Sequence, residues 1–177
     1  MGAALGPAQC ACDLPRWACW GEGLQALSAR LPGSCEIWKP GVTAYSPSDL
    51  QGGYFSKQFD LEGIPVSGSI RVAVDDLAEV RVNGSMVGST GSVTDLWDAG
   101  VAQSNLVPFD LTPYLVTGTN TITIRAQNGP AWYTAGTCDP CNYTNNPAGL
   151  VFGGSLSFIA PVPTRPRSWG TLKAVYR

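Results

Sequence analysis

Two short stretches combine aromatic rings with polar neighbours, and they are the strongest candidates for ligand binding. Trp97 stands in an Asp-Leu-Trp-Asp stretch, and Trp132 and Tyr133 follow Asn128. The C–H faces of a sugar stack on aromatic rings, while its hydroxyls need amide or carboxylate partners. Trp97, Trp132, Tyr133 and Asn128 are therefore candidate glycan-binding residues, which we expect on long loops at residues 88–105 and 128–148. The alternative is that these rings pack beneath long loops as part of the core.

Asp75 and Asp76 form the most conspicuous pair of carboxylates. Neighbouring side chains on a regular strand point to opposite faces, so we do not expect the pair to act as general acid and base on one substrate. The chain has no histidine, which excludes a Ser-His-Asp triad and an HExxH zinc site. We predict no catalytic residue. An enzyme would need a site built from carboxylates alone.

Six cysteines indicate a disulfide framework of the kind found outside the reducing cytosol. They are Cys10, Cys12, Cys19, Cys35, Cys138 and Cys141. We expect at least two disulfides, and the sequence does not choose among the pairings. The alternative is a zinc site that uses Cys138 and Cys141 with two N-terminal thiolates, although the Cys10-Ala-Cys12 spacing is tighter than most zinc knuckles use. We predict no metal site of this kind.

Composition narrows the class of protein further. Of the 177 residues, 21 are Gly and 14 are Pro, and only 14% are charged, which favours short strands and many turns. A net charge of −2 does not provide the excess of basic residues that nucleic-acid binding requires. No apolar run is long enough to span a membrane, and residues 1–9 lack the basic region of an export signal.

Hydrophobic alternation predicts an all-β sandwich. The predicted strands include Tyr54–Leu61, Ser69–Val74, Ala78–Val82, Asn120–Ala126 and Leu150–Phe158. Asn83-Gly84 predicts a tight hairpin turn, and Asp110 or Thr112 caps one helical turn that starts at Pro113. We divide the chain into a Cys-rich cap at residues 1–34, a sandwich at 35–160 and a Pro-rich basic arm at 161–177. Leu24, Leu27 and Leu31 would share one face of a short helix in the cap.

Four segments together resemble the galactose-binding-like β-sandwich. They are Glu36-Ile-Trp38, Tyr54–Leu61, Val74–Gly84 and the stretch from Phe109 to Ile124. Such jelly-roll modules accompany β-galactosidase-type and α-rhamnosidase-type glycoside hydrolases and occur as carbohydrate-binding modules. The resemblance covers about residues 36–158 and implies the fold. It does not imply the enzymes' activity, because their catalytic carboxylates lie in a separate barrel domain. Members of this fold often hold a structural calcium ion, so a structural Ca²⁺ is an expectation, with no other cofactor.

These observations favour a non-catalytic surface or decoration protein of an extracellular particle such as a virion, with glycan binding as a further expectation. The alternative is a secreted carbohydrate-binding module associated with a glycoside hydrolase. We expect other subunits of the assembly as partners, reached through the C-terminal arm. Pro161, Pro163 and Pro166 would hold that arm extended. Its apolar end, from Trp169 to Tyr176, would dock on a neighbouring subunit or fold back as an edge strand of its own sandwich.

Overall fold

Two antiparallel sheets face each other in the computed structural model, which describes residues 9–10, 24, 27, 29–31, 34, 36–43, 45–133, 138 and 141–160. The strands of these residues are β1 (Gln9–Cys10), β2 (Ile37–Trp38), β3 (Gly52–Leu61), β4 (Ile64–Asp75), β5 (Leu77–Val82), β6 (Ser85–Gly91), β7 (Val107–Asp110), β8 (Gly118–Gln127) and β9 (Gly149–Ile159). Helix α1 spans Leu96–Ser104, and 3-10 turns lie at Thr112–Tyr114 and Ala131–Tyr133. The predicted all-β sandwich is confirmed.

The strand order follows a jelly-roll pattern in which several neighbours in space, such as β4 and β9 or β3 and β8, are distant in sequence. One sheet has the order β1-β2-β9-β4-β7, and the other has the order β3-β8-β5-β6. Strand β4 pairs with β9 along most of its length, from Ile64 opposite Ile159 to Asp75 opposite Gly149. Strand β3 pairs with β8 over ten residues, from Gly52 opposite Gln127 to Leu61 opposite Gly118.

The core lies between the two sheets because alternate residues of each strand point inward. Val72 and Val74 of β4 face Val80, Val82 and Ile124 of the other sheet, and all are buried. Trp38 is also buried, and its indole N–H donates to the hydroxyl of Tyr143 at 3.0 Å. The alternating runs of the sequence therefore predicted the inward face of these strands correctly.

The Asn83-Gly84 hairpin turn is also confirmed. Asn83 and Gly84 have φ angles of 51° and 83°, the left-handed conformation that Asn and Gly tolerate best. The Asn83 amide donates to the carbonyl of Tyr114 at 2.9 Å and to Oδ1 of Asn120 at 3.0 Å. These bonds tie the hairpin to the 3-10 turn that precedes β8, where Asp110 Oδ1 accepts from the Thr112 N–H at 2.9 Å.

Helix α1 corrects our expectation of a long loop over residues 88–105. Residues 85–91 are strand, and Leu96–Ser104 is helical. Asp95 is the N-cap, and the buried Ala99 and Ala102 form the face that packs on the sandwich. The start of the helix is indicated by the sequence Val93-Thr-Asp-Leu-Trp-Asp98, since an Asp N-cap followed by an acid in the first turn is typical of a helix start.

Part of the predicted N-terminal cap is visible in the described residues. Leu24 and Leu27 are helical and buried, and they pack with Ala73 and Val151 on the outer face of the sheet that contains β4 and β9. Leu31 is packed against the same cluster but lies in a bend rather than in the helix. None of the described helices has the length and apolar character that crossing a bilayer requires.

Cys138 and Cys141 form a disulfide with a Cα–Cα distance of 4.8 Å. This pairing confirms part of the predicted framework and overturns the zinc alternative at these positions, since bridged sulfurs offer no thiolate ligand. Cys12, Cys19 and Cys35 lie outside the described residues, as does the side chain of Cys10, so a second disulfide stays a prediction. The arm at 161–177 also lies outside them.

Candidate functional site

Trp97 lies in the first turn of α1 and points into solvent. Oδ1 of Asp95 accepts the backbone N–H of Trp97 at 2.8 Å and that of Asp98 at 3.3 Å, which fixes the start of the helix. The opposite face of α1 is buried, so the indole ring projects outward and is 80% exposed. The interpretation that this ring packs beneath a loop is wrong.

Trp132 lies in the Ala131–Tyr133 turn and is 58% exposed. Its ring meets the ring of Tyr133 edge-on, with centroids 4.3 Å apart. The Tyr133 hydroxyl donates to the carbonyl of Ser92 at 3.2 Å, and Oγ of Ser92 accepts the N–H of Asp95 at 3.0 Å. Tyr133 therefore links the turn of Trp132 to the start of the helix that carries Trp97. We call Trp97, Trp132 and Tyr133 the aromatic surface.

Asn128 does not belong to this surface, which corrects its prediction as a ligand-binding residue. Its side chain is fully buried, and its amide donates to the carbonyls of Ser48 at 3.0 Å and Asn146 at 3.1 Å. A side chain enclosed in this way cannot reach a sugar at the surface. Its role is structural, because it joins the turn at 128–133 to two loops that are distant in sequence.

The turn that carries Trp132 is anchored at several backbone positions. Asp49 Oδ1 accepts the N–H of Ala131 at 2.8 Å, and the carbonyl of Gly129 accepts the N–H of Leu50 at 3.3 Å. Asp76 Oδ2 accepts the N–H of the buried Gly129 at 2.5 Å. Because these contacts are made before any ligand arrives, the ring of Trp132 is held in place by the fold.

Asp75 and Asp76 lie together rather than on opposite faces, which corrects the sequence expectation. Strand β4 ends at Asp75 and β5 begins at Leu77, so the strand alternation does not extend across the pair. The peptide bond between the two aspartates is cis. Their carboxyl groups are hydrogen-bonded to each other, and the side chain of Gln103 also bonds Asp75.

Burial governs the protonation of this pair. Desolvation, followed by the negative charge of Asp76, raises the pKa of Asp75 well above its usual range. Desolvation also raises the pKa of Asp76, while hydrogen bonds from Asp75 and from the Gly129 N–H oppose that rise. These shifts favour the protonated form of Asp75, and the Asp76 carboxylate is placed to accept its hydrogen bond.

Glu36 is a third buried acid near the pair, and its charge contributes to the raised pKa of Asp75. Burial raises the pKa of Glu36 to about 7. Its Oε2 atom has no hydrogen-bond partner among the described residues. Within these residues no group of three or more His, Cys, Asp or Glu side chains has a geometry that would hold a metal ion, and the structural calcium ion stays a prediction.

Sequence reasoning proposed the three aromatic residues as binding residues, which stays a prediction, but missed the residues that support them. Asp49, Asp76 and Ser92 accept backbone N–H or side-chain hydroxyl groups of the turn and are 41 to 82 positions from their partners in sequence. No local pattern marks such long-range contacts. Only Ser92, which lies three residues before the helix cap Asp95, carried a local capping signal.

Neither a protein-family model nor a curated protein matches the chain. Several solved structures are similar to the chain. An α-L-rhamnosidase of Streptomyces avermitilis matches with a TM-score of 0.52 and 20% identity, over 70% of this chain and 10% of that protein. The Pleurotus ostreatus lectin matches with a TM-score of 0.46 and 24% identity, over 70% of this chain and 28% of that protein. An α-L-rhamnosidase of Aspergillus terreus matches with a TM-score of 0.44 and 19% identity, over 67% of this chain and 15% of that protein.

The likeness to the Streptomyces avermitilis enzyme is one of fold. The chain has the galactose-binding-like β-sandwich fold that the sequence resemblance implied, so that expectation is confirmed. The chain spans only between 10% and 28% of the length of the three matched proteins. The activities in their names are therefore those of much larger molecules, and a shared fold does not transfer them.

Proposed function

We propose that this chain is a non-catalytic carbohydrate-binding domain whose aromatic surface stacks against sugar rings. The exposure of Trp97 and Trp132 carries this proposal. Large aromatic side chains are usually well buried, and here two exposed tryptophans lie on segments that the hydrogen bond from Tyr133 to Ser92 joins. The fold, which also occurs in rhamnosidase and lectin structures, is consistent with this function.

The surroundings of the two tryptophans suit a sugar ligand. Asp98 lies beside Trp97 and is exposed, so its carboxylate is available to accept hydroxyl hydrogen bonds. Tyr133 holds the ring of Trp132 edge-on. A surface that is ordered before binding loses little conformational entropy when a ligand stacks on it.

Catalysis by the buried acids is the competing function, and their geometry argues against it. Glycoside hydrolysis needs carboxyl groups about 5–9.5 Å apart with substrate between them. Asp75 and Asp76 are hydrogen-bonded to each other, and both are buried. No sugar can enter between them. Incubation with a panel of aryl glycosides tests this reasoning directly, and release of the aryl alcohol above the rate of a D75N/D76N variant would overturn it.

A glycan array followed by affinity measurement tests the proposed function. The variants W97A and W132A should each weaken binding by about tenfold or more, equivalent to at least about 1.4 kcal/mol. Their melting temperatures should stay close to that of the parent, because both rings are largely exposed. Y54A is the matched control, since Tyr54 is 59% exposed on strand β3. Equal losses for Y54A, or no glycan bound at all, would contradict the proposal.

We also propose a place for the domain on an extracellular particle, such as a virion surface, where the sandwich would be a rigid knob. The Cys138–Cys141 disulfide supports an oxidising environment. Strand β9 precedes the C-terminal arm, and its edge opposite β4 has only β2 as a described partner, which supports attachment to other subunits. A secreted module associated with a glycoside hydrolase is the alternative, and native mass measurement of the assembly distinguishes a particle from a soluble module.

A further inference from the structure

Among the described residues, strand β9 has a pairing partner along most of only one of its edges. On one side it pairs with β4 along its length. On the other side, the only described partner is β2, through Ile37 opposite Leu150. No described segment pairs with the outward N–H and C=O groups of residues 151–159 on this side, which we call the free edge, and such an edge can accept an added strand.

An apolar cleft of about 510 Å³ opens beside this edge, between the two sheets. Most of its lining side chains are apolar: Phe59, Leu61 and Ile122 come from the sheet of β3 and β8, and Phe152, Leu156 and Phe158 come from β9. Ile64, Val66 and Ile159 add exposed apolar area at the same end of the sandwich. A contiguous apolar surface of this kind on a sheet edge is typical of an interaction site.

The chain itself supplies a segment with matching properties. Residues 167–177 follow the last proline, and they alternate in sequence so that Leu172, Ala174 and Tyr176 share one face of an extended strand. This proline-free segment of 11 residues is long enough to span the free edge of residues 151–159. The cleft is lined by one base, Lys57, and one acid, Asp60, so the match rests on the length and the apolar face of the segment rather than on charge.

We propose that residues 167–177 of a second copy of this chain add as a strand to the free edge of β9 and cover the cleft. Leu172 and Tyr176 would fill the apolar space, and the backbone would supply the hydrogen bonds. The linker from Pro161 to Pro166 favours a second copy over the same chain, because six residues in polyproline geometry extend about 18 Å rather than turning back on β9. The inference deepens the proposed assembly role and does not depend on glycan binding.

The oligomeric state of the full-length protein provides the first test. Sedimentation velocity over a range of concentrations should show association, and the variants L172D/Y176D and L156D/F158D should each remain monomeric. T171D is the control for the arm, because Thr171 lies on the opposite face of the predicted strand. L96D is the control for the cleft, since Leu96 on α1 is 50% exposed and Phe158 is 43% exposed. Both controls should associate like the parent.

A crosslinking experiment identifies the contact and its origin. A photoreactive amino acid is placed at position 172 in a mixture of ¹⁴N-labelled and ¹⁵N-labelled protein. Mass spectrometry should then find crosslinks between 172 and β9 or β3 that join the two isotopes. Crosslinks confined to one isotope would show that the arm covers its own sandwich, and crosslinks elsewhere would show another docking site.

Either of those crosslinking results overturns the proposal, as does a full-length chain that stays monomeric at all concentrations. If a variant loses its thermal transition as well as its association, it is misfolded and does not test the contact. The crosslinking experiment then decides, because it keeps the arm and the cleft otherwise unchanged. Glycan affinity, measured at the aromatic surface, is a separate observable, so the failure of one proposal leaves the other intact.

Discussion

The carboxylate of Asp76 accepts the backbone N–H of Gly129, and this contact connects the buried pair of aspartates to the turn that carries Trp132. Asp76 lies between β4 and β5, 53 positions from Gly129 in sequence. A Cβ atom at Gly129 would come within 2.6 Å of both Asp76 Oδ2 and the Tyr133 ring. Glycine at this position therefore allows the close packing that places the aromatic surface above the buried acids.

Removal of the Asp76 carboxylate should loosen this turn. In D76A the buried Gly129 N–H loses its acceptor, so we expect the free energy of unfolding to fall by about 1–3 kcal/mol. Urea denaturation measures the loss, and amide hydrogen exchange should show reduced protection at Gly129. D98A is the control because Asp98 is exposed. Unchanged protection at Gly129 in D76A would contradict the assigned role.

Glu36 should make stability depend on pH. Its pKa is raised from 4.5 to about 7 in the folded state, so the folded chain holds this proton where the unfolded chain has released it. The unfolding free energy should therefore decrease as pH rises from about 4.5 to 7, by up to about 3 kcal/mol. Well below pH 4.5 Glu36 is protonated in both the folded and the unfolded chain, and above pH 7 its contribution to the unfolding free energy has been lost.

The variant E36Q isolates this effect. A glutamine at this position keeps the shape of the side chain but carries no charge, so the variant should gain stability relative to the parent as pH rises from about 4.5 to 7. Asp75 and Asp76 are present in both proteins, and because the Glu36 charge raises the pKa of Asp75, the difference between the two curves reports Glu36 together with its coupling to Asp75. Parallel curves across this range would show that Glu36 does not titrate as proposed.

Two glycines with similar backbone angles should respond very differently to substitution by alanine. Gly84 and Gly91 have φ angles of 83° and 78°. A Cβ at Gly84 meets nothing within 4 Å, whereas a Cβ at Gly91 would overlap the backbone carbonyl of Asp76. We expect G84A to cost about 1 kcal/mol from the left-handed backbone and G91A to cost several times more. Comparable melting temperatures for the two variants would refute the steric part of this explanation.

A third glycine should allow stabilisation. Gly100 lies in the middle of α1 and is exposed, and a Cβ there meets nothing within 4 Å. Alanine favours a helix over glycine by about 0.5–1 kcal/mol. G100A should therefore raise the unfolding free energy by that amount while glycan affinity stays constant. Thermal denaturation measures the change, and a lower melting temperature would mean that Gly100 serves a purpose other than helix continuity.

The strands and the main hairpin could be read from the sequence because their signals are local. The alternation in Ala78–Val82 and Asn120–Ala126 indicates strands with one solvent-exposed and one buried face. Asn83-Gly84 predicts a hairpin turn, because only a few residue types tolerate the φ angles of that turn. Helix α1 was missed although Asp95 is a recognisable cap, because its apolar face consists of two alanines, Ala99 and Ala102, which give almost no hydrophobic periodicity.

The candidate site depended on contacts that no local pattern contains. Two residues of the 128–133 stretch differ in solvent exposure. Asn128 is buried and bonds the carbonyls of Ser48 and Asn146, while Trp132 is exposed. Asp75 and Asp76 share a hydrogen bond because the chain changes direction between two strands at that point. Local sequence thus determined where strands form and which of their faces is apolar. Tertiary structure decided which polar and aromatic side chains reach solvent, since that depends on distant segments converging at one end of the sandwich.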